Sequence, residues 1–251
     1  LTHTSGIASG GLGSAISEDA IMWLDTRTSL ATHVPKYGDI ILDFQPGDRW
    51  RYSPATALDV IARIIEIESG LTFDEFVKRR IFEPLGMNDT WWNVPEEYQD
   101  RLIDIVGSDI ATPPNSAIYD TSHSTYFGAS YGLKSTAGDY LRFEQMLVNG
   151  GELFGNRLLK PQTIELMASN KVGDLFNAMP GVSEQGFGYT VATTEESNER
   201  RSKGAFGWGG ALGTRSWSDP AEELTGVIMI QQPVPQVQRD FENAVHQAIM
   251  N

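Results

Sequence analysis

The chain contains no cysteine and only four histidines among its 251 residues. The missing thiols exclude disulfides, zinc–thiolate sites, iron–sulfur clusters and cysteine nucleophiles together, and leave the redox compartment open. His3, His33, His123 and His246 form no pair at helical spacing and no His-Glu-x-x-His, and no Asp-rich loop accompanies them. No metal and no cofactor is therefore expected, and each histidine reads as a surface or capping residue. No apolar run approaches the roughly 18 residues of a membrane span. Positive charge is also scarce: 19 basic residues stand against 33 acidic, for a net −14, with no basic stripe. A polyanion would be repelled, so nucleic acid is not an expected partner. There is no Gly-x-Ser-x-Gly elbow, and Gly207–Gly210 lacks the Lys-Ser or Lys-Thr that completes a phosphate loop. Neither repeats nor low-complexity tracts occur. Leu1 is no initiator methionine and opens no signal peptide, so the expectation is a chain cut, processed or truncated before it.

What is present suffices for a large core: 40% of residues are hydrophobic, with 25 Gly and 12 Pro to punctuate them. A helix is predicted from about Pro54 to Ser69, with Ser53 as N-cap, Pro54 in the first turn and Gly70 as terminator. Ala57, Ile61, Ile64, Ile65 and Glu68 share one side at helical spacing. A second starts at Thr72, whose pairing with Glu75 has capping-box form, buries Phe73, Phe76, Val77 and Ile81, and stops before Pro84. Residues 91–130 read as a long loop of the kind that shapes binding sites. A third helix is capped at Thr136, and a fourth runs from Pro161 to about Ala168. The period then turns alternating, with strands expected at Gly186–Thr193, Ala205–Trp208, Thr214–Ser218 and Leu224–Gln231. A last helix, Val237–Met250, presents Phe241, Val245 and Ile249 to cover a sheet. Residues 1–170 thus form a mainly helical region holding a Tyr-Ser pair and the long loop. Residues 171–251 hold antiparallel strands and the closing helix. Together they make one α+β domain.

Two segments could carry chemistry. Tyr52-Ser53 stands just before the predicted helix, where unpaired N–H groups and the helix dipole favour an anionic phenol and hence a general base. Taken alone, the pair reads rather as a Tyr that packs over the helix entrance. Trp208-Gly209-Gly210-Ala211 ends a strand, and bare glycines let a substrate approach backbone N–H groups. The same glycines would also serve a tight hairpin that needs positive φ.

Taken in order, Leu1-Thr2-His3-Thr4-Ser5-Gly6, Tyr52-Ser53, Phe82-Glu83-Pro84-Leu85-Gly86-Met87-Asn88-Asp89-Thr90, Gly132-Leu133 with Ser135-Thr136-Ala137 and Asp139, and Trp208-Gly209-Gly210 span nearly the whole chain. This ordered set resembles the serine β-lactamase-like hydrolases: penicillin-binding DD-peptidases, class C β-lactamases and the carboxylesterases built like them. The resemblance implies a β-lactamase/DD-peptidase-like fold whose nucleophilic Ser precedes a Lys by three residues. That Ser-x-x-Lys lies upstream of the Leu-Thr-His-Thr segment in the family, and no serine of this chain has Lys at the third following position. The chain is therefore expected to be a fragment that lacks the nucleophile and first strands and is inactive alone, and that pairs with the missing N-terminal segment or with itself. Carried over by motif, Tyr52 would be the general base, Ala211 would lend an oxyanion N–H, and Trp208, Gly209 and Gly210 would line the substrate.

Two departures narrow the substrate. Pro54 stands where many lactamases place an amide-holding Asn, and Trp208 stands where the family places a Lys or His. Indole cannot pair with a carboxylate. Small neutral esters are thus expected over β-lactams or peptidoglycan stems, with Arg215 near enough in sequence to replace the cation. The rival readings are a β-lactamase or DD-peptidase, and a non-catalytic scaffold of the same fold.

Overall fold

A computed structural model of the protein describes residues 1–7, 27–53, 56–103 and 123–250. In chain order it contains α1 (Leu30–His33), α2 (Ala57–Ser69), α3 (Phe73–Val77), α4 (Glu83–Leu85), α5 (Ala137–Val148), a two-stranded hairpin of β1 (Glu152–Leu153) and β2 (Asn156–Arg157), and α6 (Pro161–Ala168). The strands β3 (Gln185–Phe187), β4 (Ala192–Thr194), β5 (Phe206–Gly209), β6 (Arg215–Asp219) and β7 (Leu224–Ile228) follow, and α7 (Pro235–Met250) closes the chain. The expected α+β class is what forms, with the β-strands paired antiparallel in the sequential order β3-β4-β5-β6-β7.

Strong local signals produce the elements they predict. The Thr136 hydroxyl accepts the Asp139 N–H at 3.2 Å and starts α5, and Pro161 opens α6 with its φ already set. Elsewhere packing overrides them. Ser53 is not the N-cap: α2 begins at Ala57 with Thr56 in that place, and Pro54 lies outside the described residues. The buried seam of α2 runs through Asp59 and Ala62, while Ile64 stays exposed. Apolar residues surround this helix, so their period could not choose a side. The choice falls to Asp59, whose carboxylate accepts the Tyr126 hydroxyl at 2.6 Å and the N–H groups of Ala129 and Ser130 at 2.8 and 3.0 Å. A buried carboxylate satisfied three times over is tolerated, and it fastens the 123–134 segment to α2.

Thr72 precedes α3 without a side-chain cap bond. The helix does not stop before Pro84 either. A π turn over Lys78–Phe82 widens the backbone ahead of the proline, which then sits in the first turn of α4. There its absent N–H is not missed, and the clash with the preceding turn is avoided. Val77 is buried in the core, with Phe73, Phe76 and Ile81 packed against it. Within the expected long loop, Glu96–Arg101 forms a 3-10 turn, and Trp91 and Lys134 bridge through paired backbone bonds. The part of that loop spanning 104–122 is outside the described residues. The predicted strand Gly186–Thr193 splits into β3 and β4 around a turn where Thr190 takes a φ of 67°. The short β1–β2 hairpin has no counterpart in the sequence reading, because two-residue strands carry no period.

The sheet has two differently dressed faces. Phe206 joins Met146, Leu147, Phe82, Leu85, Trp92 and Ile164 in the main core on the α5 side. Ser218 on the same side donates to the buried Glu144 of α5 at 2.7 Å. The alternate residues Arg215 and Trp217 turn to α7, where the Trp217 ring meets Phe241 edge-on at 5.7 Å. Gly207 and Gly226 flank Trp217 across the ladder. A Cβ at Gly226 would stand 2.2 Å from the indole, so bare backbone is what lets the ring lie down. Ile249, expected to cover the sheet, is exposed, whereas Glu242 of α7 is buried.

Candidate active site

The residues singled out from sequence come together at one end of β5. The Tyr52 and Trp208 rings lie 5.6 Å apart, tilted by 50°. Beneath them is an aromatic bed. Trp50 stacks parallel to Tyr52 at 6.4 Å, Phe187 meets Trp208 edge-on at 5.3 Å, and Phe176 packs on Trp50 at 4.6 Å. Trp50, Phe176 and Phe187 are buried with Val172 in a core cluster of their own. Tyr52 lies above this cluster, 41% exposed. Its hydroxyl has no hydrogen-bond partner among the described residues.

The start of α2 at Ala57 changes the electrostatic argument for Tyr52. The N-cap is Thr56, not Ser53, and the ring neighbours of Tyr52 are His3, Trp50 and Trp208. Ser53, which follows it, is fully buried and donates its hydroxyl to the Ile7 carbonyl at 2.6 Å.

Gly209 and Gly210 do not supply the positive φ of a tight hairpin, which falls on Gly213, at 104°. The turn closes through Gly210 N–H to the Thr214 carbonyl at 2.8 Å and Gly213 N–H to the Gly210 carbonyl at 3.0 Å. Ala211 lies exposed at its tip, and no acceptor among the described residues takes its N–H. Meanwhile β4 pairs only with Phe206 and Gly207. The β3–β4 hairpin turns at Gly188–Val191, too early to run alongside the rest of β5. On that side no described strand accompanies Trp208–Ala211, while β6 holds the other side. The result is an open backbone edge beside the Tyr52 ring.

Arg215 does not supply the missing cation. It pairs with Gly209 across the ladder, whereas Trp208 pairs with Ser216. Strand alternation therefore sends Arg215 to the opposite face from Trp208. There its Nε donates to Glu242 of α7 at 2.6 Å. Arg201 donates to the same carboxylate at 2.9 Å.

Of the histidines read as surface or capping residues, His3 and His33 are buried, and His33 stands at the N-cap of a 3-10 turn. His33 packs edge-on against Tyr37 and Tyr126 at 5.3 and 5.8 Å. His3 lies under the site, its ring 4.9 Å from Tyr52. Burial pushes its imidazole down to about 4, so it is neutral at pH 7. Its Nδ1 accepts the Ser53 N–H at 3.2 Å, which leaves the proton on Nε2. The signal for His3 was its place in the Leu-Thr-His-Thr segment, since a lone histidine has no spacing to read. The other quoted segments meet at Asp139. Its carboxylate accepts the Asp89 N–H at 2.7 Å and the Thr90 hydroxyl at 3.0 Å, binding the Pro-Leu-Gly-Met stretch to the start of α5.

Comparison with known proteins gives the same direction. The Beta-lactamase family model matches residues 1–249. An uncharacterized protein of Mycobacterium tuberculosis is 31% identical over 92% of this chain and 61% of its own length. Lovastatin esterase of Penicillium rubens is 26% identical over 94% of this chain and 63% of its own length. The chain thus spans less than two thirds of these curated relatives. Among solved structures, EstCE1, a hydrolase with promiscuous acyltransferase activity, superposes with a TM-score of 0.77 at 18% identity, covering 100% of this chain and 70% of that one, a likeness of fold. The chain belongs to the Beta-lactamase family, among the serine β-lactamase-like and penicillin-binding-protein-like hydrolases.

Proposed function

We propose that this chain contributes most of the active site of a carboxylesterase-like serine hydrolase acting on small neutral acyl esters. The reading rests on Trp208–Ala211, which no described strand accompanies on one side and which lies beside a phenol without a hydrogen-bond partner among the described residues, while Arg215 is turned to the other face. Tyr52 acts as general base, directly or together with a Lys. The nucleophilic Ser and that Lys belong to a Ser-x-x-Lys outside residues 1–251, since no serine within them has the required Lys.

The reaction follows acyl-enzyme chemistry. The Ser hydroxyl gives its proton to the Tyr52 oxygen, which receives it as phenolate or as the phenol passes its own proton to the Lys, while the Ser Oγ bonds to the ester carbonyl carbon. The carbonyl oxygen gains negative charge and receives the Ala211 N–H, a donor of the kind that contributes on the order of 3 kcal/mol. Collapse breaks the carbon–alkoxide bond, and the departing alcohol takes the proton back. Water then repeats the sequence on the acyl-enzyme. The indole of Trp208 offers the acyl group an apolar wall. An anionic substrate gains nothing from that wall, and Arg215 is held by Glu242 on the other face. The lovastatin esterase among the relatives supports an ester substrate.

The test compares the full-length protein with its Tyr52→Phe variant on p-nitrophenyl butyrate and on a fluorescent penicillin. The variant should turn over the ester about 100- to 1000-fold more slowly, the scale of a lost general base. Near-normal turnover by the variant would remove Tyr52 from the mechanism. Rapid penicillin acylation with poor ester turnover would instead favour a β-lactamase or DD-peptidase. A complete protein that acts on neither would favour the non-catalytic scaffold.

A further inference from the structure

Tyr52 is exposed, yet the backbone on both sides of it is bound to a single residue. Arg51 donates its N–H to the His3 carbonyl at 3.0 Å. Ser53 donates its N–H to His3 Nδ1 at 3.2 Å. His3 can hold both only because its backbone takes a φ of 55°, a left-handed conformation that costs a non-glycine residue about 1–2 kcal/mol. That twist turns its carbonyl and its imidazole toward the same stretch of chain. The ring then fills the space between Tyr52, Trp50 and Phe187, at 4.9, 5.7 and 5.4 Å.

The rest of the opening segment keeps His3 in place. Thr4 accepts the Gly47 N–H and Gly6 the Asp43 N–H, both at 2.8 Å, and the Leu1 carbonyl accepts the Thr190 N–H from the β3–β4 turn at 3.0 Å. A Cβ at Gly6 would stand 2.2 Å from the Phe44 carbonyl oxygen, so the two stretches run in close contact. Ser53 is fully buried, and without an acceptor its N–H would be an unpaired buried donor.

From this geometry we infer that His3 is a positioning residue: through its carbonyl and Nδ1 it clamps the backbone on both sides of Tyr52 and thereby aims the phenol at the open end of β5. The inference rests on Tyr52 being the base. It assigns His3 no contact with substrate. A base displaced by about 1 Å loses up to 100-fold in rate.

The experiment uses two substitutions in the full-length protein. His3→Gly relieves the left-handed φ but removes the Nδ1 acceptor. His3→Asn keeps an acceptor at nearly the same place and tolerates that φ. The expected result on a neutral ester is a 10- to 100-fold lower kcat for His3→Gly, a kcat within about threefold of wild type for His3→Asn, and KM within threefold for both. A second readout needs no turnover. With 13Cζ-labelled tyrosine, the resonance that disappears in Tyr52→Phe should shift in His3→Gly and stay in place in His3→Asn. A third needs no variant: a 15N–15N coupling through the hydrogen bond between the Ser53 amide and His3 Nδ1 should be present in the wild type. The inference is overturned if that coupling is absent, if His3→Gly behaves as wild type, or if His3→Asn is as impaired as His3→Gly. If the protein turns over no ester, the proposed activity fails, while the resonance and the coupling still decide the role of His3.

Discussion

Truncating Glu242 to alanine should destabilise the protein by about 3–5 kcal/mol, the cost of stripping one partner from a buried ion pair. Three arginines surround this carboxylate, and the structure ranks them. Arg201 lies 2.9 Å away with its side chain 13% exposed, and its guanidinium also rests over the Trp217 ring at 5.4 Å. Arg215 is closer, at 2.6 Å, but 39% exposed. Arg200 stands 3.8 Å away and 41% exposed. Exposed pairs are worth about 0–1 kcal/mol, so nearly all of the penalty comes from leaving Arg201 charged and buried without its counter-ion. Urea unfolding followed by tryptophan fluorescence measures this, provided the slope stays constant. Glu242→Ala should lose 3–5 kcal/mol, Arg215→Ala no more than about 1, and Arg200→Ala close to none. Raising salt to 1 M should leave the Glu242→Ala deficit largely intact, because buried pairs are weakly screened. A deficit below about 1 kcal/mol for Glu242→Ala, or an equal loss for Arg215→Ala, would refute the ranking by burial. The same variant bears on function. Arg215→Ala should not change the preference for neutral over anionic esters, because Arg215 points away from the Trp208 face. A shifted preference in paired kcat/KM measurements would return Arg215 to the site.

Further outcomes follow from close approach and from burial. Gly207→Ala would bring a Cβ within 2.3 Å of the Ser216 carbonyl oxygen and 2.8 Å of Trp217 Cα, both backbone. It should cost about 3 kcal/mol in denaturant unfolding, the upper range of overpacking. Gly209→Ala meets only the Thr214 carbonyl oxygen, at 3.4 Å, among the described residues, and should stay within about 0.5 kcal/mol of wild type. Equal losses at the two positions would contradict the backbone placement around β5. Burial raises the Glu144 carboxyl above its ordinary value, against the hydrogen bonds from Ser216 and Ser218. The folded state therefore binds this proton more tightly than the unfolded chain, and the group's contribution is present at acid pH and lost as pH rises through the raised value. Glu144→Gln keeps an acceptor for Ser218 and never ionises. Its stability relative to wild type should improve steadily from pH 4 to pH 8. A pH-independent difference, or one that shrinks, would reverse that sign.

Wherever a few adjacent residues decided the outcome, the sequence was sufficient. The Thr136 hydroxyl can reach the Asp139 N–H and little else, Pro161 has only one comfortable place in a helix, and alternation after residue 185 can only mean strands. These are contacts within one turn or one pleat, although equally local signals at Ser53 and Thr72 gave no such outcome: Thr56 is the N-cap of α2, and Thr72 makes no side-chain cap bond. Packing between distant segments decided the rest. Apolar residues encircle α2, so its buried side waited for Tyr126 and the 129–130 amides to accept Asp59. Arg215 looked available until the β5–β6 register placed it opposite Gly209, within reach of Glu242. A lone histidine carries no period, so the role of His3 emerged only when Leu1–Ile7 was laid along residues 43–53. Tyr52 and Ala211 were named from their motifs. Only the fold brings the Tyr52 ring beside Trp208, and only the register leaves the end of β5 without a described strand on one side, because β4 stops pairing at Gly207.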